Sequence, residues 1–564
     1  MTSRALMLRP SRSKVALLAL LFAACVRPGA LGGATLDSAD VVIDRGTVVD
    51  GTGRPALAAD VAIRDGAIAA VTPPGGLASV RAKRRIDARG LVVAPGFIDV
   101  LSMSEDDLLK GDGRMLNKLT QGVTTEVLGE GWSGAPSRKT AAFAGPHGFG
   151  AWLEAMERHR NATNVASFVG ATTLRLYAMS NAPGPPAPEQ AEQMRRALRE
   201  GMEDGALGLG SALIYPPGSF ATTDELVDLA KVIAPYHGVY ATHLRSEGDR
   251  VLEALDEALE IGRRGGVAVE IFHLKALGRR NWPKLPALFE RIEAARAAGQ
   301  DVTADTFPYT RSATMLSALV PPWASANGKL VQNLADPEAS RRIHDELLHG
   351  EDSGWENFGA LATPEEVVVT DVPRASPAAR WTGRRLSEVA QELGTDWADA
   401  AIKLLSETGG RGSMLCTTMD EEGVALKLRK PWIFFGTDAG ERRPGPEHGN
   451  SHPRAMGTFS RVLGRYVRDE GVLSLEEAVR RMSAAVADKL SIHDRGRLEV
   501  GMRADVAVFD PGAVGDRATE EQPFLPSTGM RYVLVNGVLV LDGGAYTGAR
   551  PGVAVRGPGW KGRP

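Results

Sequence analysis

The middle of the chain alternates apolar, strand-like runs with amphipathic helices over most of its length. Stretches such as ELVDLAKVIAPYH and VLEALDEALEIGRRG repeat apolar residues at three- and four-residue spacing, as helices do. Repeated alternation predicts a parallel α/β fold, and we expect a closed (β/α)8 barrel over residues 94–497. The strand candidates between the helices are VVAPGFID, GVTTEVL, ALGLGSAL, GVYATHL, VAVEIFHL, DVTADTF and PWIFFGTD.

Both ends of the chain are instead rich in short strands. Residues 38–93 contain DVVIDRGTVVDG and DVAIRDGAIAAV, and residues 498–550 contain ADVAVFDPGA and YVLVNGVLVLDGG. Their alternating apolar residues and their Asp-Gly and Asn-Gly pairs are typical of hairpins. We therefore predict a small β-sandwich built from both segments. Less regular sequence within residues 330–430 predicts an insertion or lid in the barrel.

The N-terminus has the order of a secretory signal. A basic stretch without acids, MTSRALMLRPSRSK, precedes the apolar run VALLALLFAACV and the small residues RPGALGGA. This order predicts a signal peptide over residues 1–33 and a periplasmic or secreted protein. The apolar run is shorter than the ~20 residues that span a bilayer, so no transmembrane segment is expected in the mature chain. Cys25 ends the apolar run, which leaves lipid attachment at Cys25 and simple cleavage as alternatives.

The acidic and basic residues of the chain are nearly balanced in number. The chain has 564 residues, a formal net charge of -3 and no long basic run, so nothing favours a nucleic-acid partner.

A barrel carries its chemistry at the carboxyl ends of its strands. The polar residues at those predicted ends are Asp99, Glu130, His243, His273, Asp305 and Asp438.

Two of these residues have the pattern of metal ligands. His243 and His273 follow successive strand candidates, and neighbouring strands lie ~4.8 Å apart, so two inward-facing imidazoles could share a metal ion. Two hydrogen-bonded histidines at a polar barrel mouth are the alternative. Glu130 lies in a glycine-flanked turn and is a candidate carboxylate ligand, with Glu126 in the preceding strand as a competitor.

Asp438 follows the strongly apolar run IFFGT. A partly desolvated carboxylate beside a bound cation could accept a proton from attacking water and return it to a leaving nitrogen. The alternative is an aspartate that caps the next helix or turn.

An ordered set of longer motifs resembles the D-aminoacylase / N-acyl-D-amino-acid deacylase branch of the amidohydrolase superfamily. The resemblance covers nearly everything after residue 38 and implies a zinc-containing (β/α)8 barrel with a small β-sandwich. It also implies hydrolysis of the amide between an acyl group and a D-amino acid. The matching segments include DVVIDRGTVVDGTG, VVAPGFID, QGVTTEVLGEG, GALGLGSALIYPPGSFATTDEL, GVYATHLRSEGDRVLEALDEALEIGRRGGV, HLKALGRRNW, DVTADTFPYT, GTDAGERRP, HPRAMGTFSRVLGRYV and GRLEVGMRADVAVFDP.

By position in these motifs, His243 and His273 match metal-binding histidines and Asp438 matches the catalytic aspartate. The cysteine ligand common in this branch is replaced by Glu130, which we expect to substitute for it. Glu130, His243 and His273 form a possible three-ligand set for one Zn²⁺ per chain, with a fourth position open to water.

The first barrel strand departs from the branch. Its members usually carry His-x-His after PGFID, whereas this chain has Leu101 and Met103 at those positions and Glu105 shortly after. Leucine cannot bind zinc, and a methionine thioether is a soft ligand suited to copper. We therefore expect the metal pocket that those histidines complete to be empty or absent.

An N-acyl amino acid presents a free carboxylate, for which a cationic partner is expected. Lys275, two residues after His273, is the first candidate, and Arg245 and Arg311 are secondary ones. Tyr215 and Tyr309 are candidates for closing the pocket around the substrate.

Two other functions remain open from the sequence. One keeps the hydrolase but changes its substrate to a cyclic amide or a dipeptide. The other is an exported, catalytically inactive binding protein. The loss of the first-strand histidines favours the inactive protein, whereas the joint retention of His243, His273 and Asp438 favours the enzyme.

Overall fold

The computed structural model describes residues 36–350, 354–441 and 451–562. The predicted signal peptide, with Cys25, lies outside these residues. From Asp37 to Pro564 the chain forms one compact unit. None of the helices in the described ranges combines the length and apolarity that crossing a bilayer requires.

Strands and helices alternate through the middle of the chain, between two segments made of strands. The strands are β1 Ser38–Val48, β2 Leu57–Arg64, β3 Ala67–Thr72, β4 Arg81–Asp87, β5 Val92–Pro95, β6 Phe97–Asp99, β7 Val123–Leu128, β8 Asn164–Ser167, β9 Val169–Gly170, β10 Gly208–Ala212, β11 Val239–His243, β12 Ala268–Ile271, β13 Val302–Thr306, β14 Arg311–Met315, β15 Val368–Thr370, β16 Ser413–Thr417, β17 Ile433–Phe435, β18 Val506–Phe509, β19 Met530–Val535, β20 Val538–Asp542 and β21 Ala545–Tyr546. The helices are α1 Glu105–Lys110, α2 Leu116–Leu119, α3 Gly148–His159, α4 Ala171–Met179, α5 Pro188–Glu203, α6 Thr223–Ile233, α7 Val251–Gly265, α8 Leu285–Ala297, α9 Leu330–Ala335, α10 Pro337–His349, α11 Phe358–Ala362, α12 Leu386–Leu393, α13 Trp397–Thr408, α14 Glu421–Leu428, α15 Arg454–Arg461, α16 Leu475–Met482 and α17 Ala484–Lys489.

The two strand-rich ends join in one nine-stranded sheet. Its order is β21-β20-β19-β18-β5-β1-β2-β3, and β4 also pairs with β1. The antiparallel pairing of β18 with β5 joins the C-terminal strands to the N-terminal ones. The turn at Asn536-Gly537, where both residues have positive φ, connects β19 to β20 as the sequence predicts.

The middle of the chain forms the predicted barrel. Strands β9 to β13 and β17 lie parallel in one sheet, and β6, β7 and β8 lie parallel in another. Strand β8 continues directly into β9, which joins the two sheets on one side. On the other side, the amide of Asp438 donates to the carbonyl of Leu101 over 2.8 Å, and Ser102 bridges to Ala439 in parallel. The α/β barrel with an added sheet domain is confirmed.

The barrel interior is apolar below its mouth. Leu101 of the first strand lies in this interior, together with Val127, Phe168, Phe272 and Phe434. Leu101 is almost fully buried, and Met103 packs against the same cluster. The departure from His-x-His therefore places hydrocarbon where the family resemblance leads one to expect metal ligands.

Between β13 and β17 the chain forms a separate small layer. Strands β14, β16 and β15 make an antiparallel sheet, and α9 to α13 surround it. A core of its own, which includes Trp381, Leu405 and Met414, holds this layer together. The sheet begins at Arg311, ahead of the predicted range 330–430. The sequence does not predict this strand, because RSATM is short and lacks a strong apolar alternation.

A buried carboxyl joins this layer to the barrel. Glu356 accepts a hydrogen bond from the Ser246 hydroxyl and one from the Gly248 amide over 3.3 Å, both in the loop after β11. Burial raises the pKa of Glu356 to about 7. The folded protein therefore holds the proton of Glu356 to a higher pH than an exposed glutamate does.

Glu356 is expected to make stability depend on pH. Because its pKa is higher in the folded protein, its contribution is complete below its ordinary pKa of 4.5 and is lost as the pH rises through about 7. Replacing it in Glu356→Gln should remove this loss. Relative to wild type, the variant should gain on the order of 2–3 kcal/mol between pH 5 and pH 8, as measured by urea unfolding. Glu338→Gln, at an exposed carboxylate of α10, controls for net charge. Parallel pH profiles for wild type and Glu356→Gln would contradict the expectation.

Candidate metal centre

Three side chains converge at the mouth of the barrel. One oxygen of Glu130, Oε1, lies 2.8 Å from Nδ1 of His243 and 3.0 Å from Nε2 of His273. The imidazole ring centroids are 4.5 Å apart, and the rings are nearly perpendicular. One ligand atom from each residue lies within 4.8 Å of the others. Two imidazole nitrogens and a carboxylate oxygen are ligands that zinc accepts at ~2.0–2.2 Å, so these residues fit a zinc ion.

The backbone directs these side chains inward at the strand ends. His243 closes β11, and His273 follows β12 with a φ of 36°, in the left-handed region. Its amide donates to Oδ1 of Asp305 over 3.0 Å, which holds the unusual conformation. Gly129 beside Glu130 has a φ of 105°, and a Cβ there would lie 2.6 Å from the Phe168 carbonyl oxygen. The Glu130 turn thus needs glycine at that position.

The charges of this cluster depend on one another. Burial alone would raise the pKa of Glu130, but hydrogen bonds from the two imidazoles lower it to about 2. For His273, burial and Lys275 oppose the charged form, yet Glu247, Asp438 and Glu130 together raise its pKa to about 10. The buried carboxylates therefore favour positive charge between them.

A second carboxylate lies on the opposite side of the imidazoles. Glu247 Oε1 is 3.1 Å from Nδ1 of His273, and Glu247 Oε2 is 3.5 Å from Nε2 of His243. Lys275 Nζ lies 2.5 Å from Glu247 Oε1 and 2.8 Å from the same His273 Nδ1. Burial opposes ionisation of Glu247, but Lys275 and the imidazoles hold its pKa well below the ordinary value.

Asp438 completes the polar part of the mouth. It has a φ of 46° and lies directly beyond β17. Its Oδ2 is 2.8 Å from Nη1 of Arg454. Burial raises the pKa of Asp438 although Arg454 opposes this shift, so the carboxyl is suited to exchanging a proton.

These groups open into a cavity of about 580 Å³. Its lining combines the acids and cations above with apolar and aromatic side chains. Tyr215 packs edge-on against His243 at 5.3 Å and against Trp132 at 5.8 Å. Other lining residues are Met103, Glu105, Leu277, Met315, Phe358 and His452.

Comparison with known proteins identifies the family. The model of the amidohydrolase family matches residues 362–541. An N-acyl-D-glutamate deacylase of Alcaligenes xylosoxydans xylosoxydans is 37% identical over 92% of this chain and 96% of its own length. The chain belongs to the D-aminoacylase family of amidohydrolases. The predicted family and the predicted enzyme class, a hydrolase of carbon–nitrogen bonds other than peptide bonds, are confirmed.

Two solved structures of this family share the fold over nearly the whole chain. A Bordetella bronchiseptica N-acyl-D-glutamate deacylase, solved with zinc and a phosphonate mimic of the tetrahedral intermediate, is 33% identical. It has a TM-score of 0.76 and covers 92% of this chain and 100% of its own. A D-aminoacylase described by its binuclear metal centre is 32% identical, with the same TM-score, and covers 92% and 99%.

The structure separates the predicted substrate residues of this amidohydrolase into two groups. Lys275 and Tyr215 line the cavity, although the Lys275 ammonium is held by Glu247. Arg245, Tyr309 and Arg311 do not line it.

Each excluded side chain is held elsewhere by its own partner. Arg245 pairs with Glu257 and donates to the carbonyls of Ser219 and Ala221, because it follows His243 on the outward face of the loop. The Tyr309 hydroxyl lies 3.3 Å from Asp516. Arg311 pairs with Glu366 and Glu520.

Two residues of the cavity, Arg454 and Glu247, are not among the candidates that the sequence predicts. Arg454 lies two residues after His452 in the HPRAMGTF motif, on a segment outside the predicted strand ends. His452 Nδ1 accepts a hydrogen bond from the Arg454 amide over 2.9 Å. Burial and the nearby Arg454 charge together hold the pKa of His452 well below its ordinary value. Glu247, four residues after His243, was overlooked because a loop has no periodicity that predicts which way a side chain points.

A fully buried lysine holds the turn that carries Asp438. Lys118 Nζ donates to Asp99 Oδ2 and Thr437 Oγ1, each over 2.7 Å, and to the Ala439 carbonyl over 2.8 Å. Asp99 Oδ1 in turn accepts from the Thr437 amide over 2.8 Å. The two neighbours of Asp438 are therefore both fixed to this ion pair.

Removing the lysine should be costly. Lys118→Met leaves Asp99 buried without its partner, and a broken buried pair costs roughly 3–5 kcal/mol of unfolding free energy. Urea unfolding followed by tryptophan fluorescence measures this. Lys83→Met is the matched control, since its side chain is 83% exposed and pairs with Asp40 at the surface. Equal unfolding midpoints for the two variants would refute a stabilising role for the Lys118 pair.

Proposed function

We propose that this amidohydrolase removes the acyl group from N-acyl-D-amino acids, with one zinc ion held by Glu130, His243 and His273. The observation that carries the proposal is the convergence of these three ligand atoms beside Asp438 in a cavity of substrate size. The names of the relatives support the substrate class, since one is an N-acyl-D-glutamate deacylase and another a D-aminoacylase.

One zinc per chain is the number that this donor set supports. The first strand contributes Leu101 to the apolar interior and Met103 to the cavity wall, and neither is a zinc ligand. When bound, zinc acts as a Lewis acid that polarises a carbonyl and makes water more acidic. The metal groups of the described residues also include His344, Asp396 and Asp399, but that cluster is at the surface of the inserted layer.

Asp438 is the proton carrier in this proposal. Its raised pKa favours taking up the proton that water releases on attacking the scissile carbonyl. The same carboxyl then returns the proton to the departing amine nitrogen. Because Leu101 and the Lys118 ion pair fix the turn at Asp438, the carboxyl keeps its position during both transfers.

Arg454 is the best-placed cation for the substrate carboxylate. It is buried in the cavity wall, and its Nε has no hydrogen-bond acceptor among the described residues. In an N-acyl amino acid, the carboxylate and the amide nitrogen are bonded to the same carbon. A carboxylate held by Arg454 therefore brings the leaving nitrogen close to Asp438, which pairs with the same guanidinium.

Export completes the proposal. The order of basic, apolar and small residues at the N-terminus supports a signal peptide and action in the periplasm or outside the cell. The alternative to simple cleavage is lipid attachment at Cys25. Labelling with a fatty-acid analogue tests it.

The metal assignment predicts a zinc content of about one per chain after purification without chelators. His273→Ala should lose that zinc together with hydrolysis, as measured by elemental analysis and amine release. His344→Ala, in the surface cluster, should keep both. A zinc-free wild type that still releases amine, or a zinc content unaffected by His273→Ala, would contradict the assignment.

The substrate assignment predicts faster hydrolysis of N-acetyl-D-amino acids than of their L-forms or of hydantoins. Arg454→Met should lower kcat/KM for the D-substrates about 30-fold or more, because it removes a buried partner of the carboxylate. It should affect N-acetyl-D-amino acid amides much less, since they lack that carboxylate. Arg245→Met controls for loss of an arginine outside the cavity. Preferred hydrolysis of the cyclic substrates would establish the alternative function.

A further inference from the structure

Each imidazole of the metal centre faces a carboxylate on both of its ring nitrogens. Nδ1 of His243 and Nε2 of His273 face Glu130, at 2.8 and 3.0 Å. The remaining nitrogens, Nε2 of His243 and Nδ1 of His273, face Glu247, at 3.5 and 3.1 Å. One pair of nitrogens is thus directed to the metal position and the other pair to Glu247.

A neutral imidazole carries one proton, and a nitrogen that carries a proton cannot bind a metal ion. To serve as ligands, His243 must therefore keep its proton on Nε2, and His273 must keep its proton on Nδ1. A carboxylate accepts such protons. The 3.5 Å between His243 Nε2 and Glu247 Oε2 is long for a hydrogen bond, but such distances at active sites often shorten when the ligand binds.

Lys275 introduces a competing arrangement at His273. Its ammonium lies 2.8 Å from Nδ1 and is only a donor, so a hydrogen bond to this nitrogen requires a lone pair there. The ring proton would then be on Nε2, which faces the metal position. The 2.5 Å contact between Lys275 Nζ and Glu247 Oε1 gives the ammonium another acceptor and leaves Nδ1 free to carry its proton.

The backbone of Glu247 is held from two sides. Its carbonyl accepts from the Leu277 amide over 2.6 Å. The Gly248 amide after it donates to Glu356 of the inserted layer over 3.3 Å. Its side chain is almost fully buried, so the carboxylate stays against the imidazoles and not in solvent.

We propose that Glu247 is a positioning residue that holds the protons of both imidazoles away from the metal and draws the Lys275 ammonium off His273. The inference rests on the proposed metal site. It assigns Glu247 a role in zinc affinity through the histidines, with Lys275 as the group whose charge it must neutralise.

The test is zinc affinity, measured by competition with a chromogenic chelator at neutral pH. In Glu247→Gln the zinc dissociation constant should rise about 10–100-fold, the range found when partners of ligating histidines are removed. Removing the competing ammonium as well, in the double variant Glu247→Gln/Lys275→Met, should recover a large part of that loss. Lys275→Met alone should bind zinc at least as tightly as wild type.

The control is Glu257→Gln, which removes an ion-paired glutamate of α7 that contacts Arg245 outside the cavity. It should change the dissociation constant less than twofold. The visible absorption of the Co²⁺-substituted proteins provides a second readout, and Glu247→Gln should alter the tetrahedral bands at saturating metal. Unchanged affinity in Glu247→Gln would overturn the proposal, as would a double variant no tighter than Glu247→Gln.

Failure of this inference is distinguishable from failure of the proposed function. If wild type binds no zinc, the metal site itself is refuted. If wild type binds zinc and only the Glu247 variants behave contrary to expectation, the ligand set stands and the positioning role falls. Should Glu247→Gln not fold, a tenfold or greater weakening in Lys275→Met would by itself overturn the proposal.

Discussion

The concentration of buried negative charge at the barrel mouth is the constraint on which this site depends. Glu130 and Glu247 are buried and Asp438 is largely so, all within reach of the two imidazoles. Desolvated carboxylates are stable only with positive charge close by. Lys275 and Arg454 each neutralise one of them, and the third carboxylate, Glu130, faces the imidazoles alone. In a metallohydrolase the ion that activates the substrate thus also neutralises buried carboxylate charge at the barrel mouth.

The same charges distinguish the two cations of the cavity wall, Lys275 and Arg454. Lys275 has the expected position beside His273, and its ammonium contacts Glu247. Arg454 lies over the Phe307 ring and pairs with Asp438. A planar guanidinium has donors enough for two carboxylates, whereas the Lys275 ammonium has three donors and already has Glu247 and His273 Nδ1 within hydrogen-bond distance.

Residues at the ends of regular strands could be predicted from the sequence, and residues on irregular backbone could not. His243, His273 and Asp438 each follow an apolar run, and the barrel rule brings such ends together. Arg245 is only two residues beyond His243, yet the loop turns its side chain out to Glu257. Glu247, two residues further, turns back inward. Alternation ends with the strand, so the direction of each loop side chain is set by tertiary contacts such as the one from Glu356.

The first strand closes the barrel although its side chains at positions 101 and 103 are not zinc ligands. The side chains at positions 101 and 103 are apolar, but the backbone around them still closes the barrel, through the Leu101 carbonyl and the Asp438 amide. Asp99 retains its pairing with Lys118, which also fixes Thr437. What this strand supplies next to Asp438 is therefore its main chain and the Asp99 carboxylate. The first strand therefore holds the turn at Asp438 in place without offering a zinc ligand at positions 101 and 103.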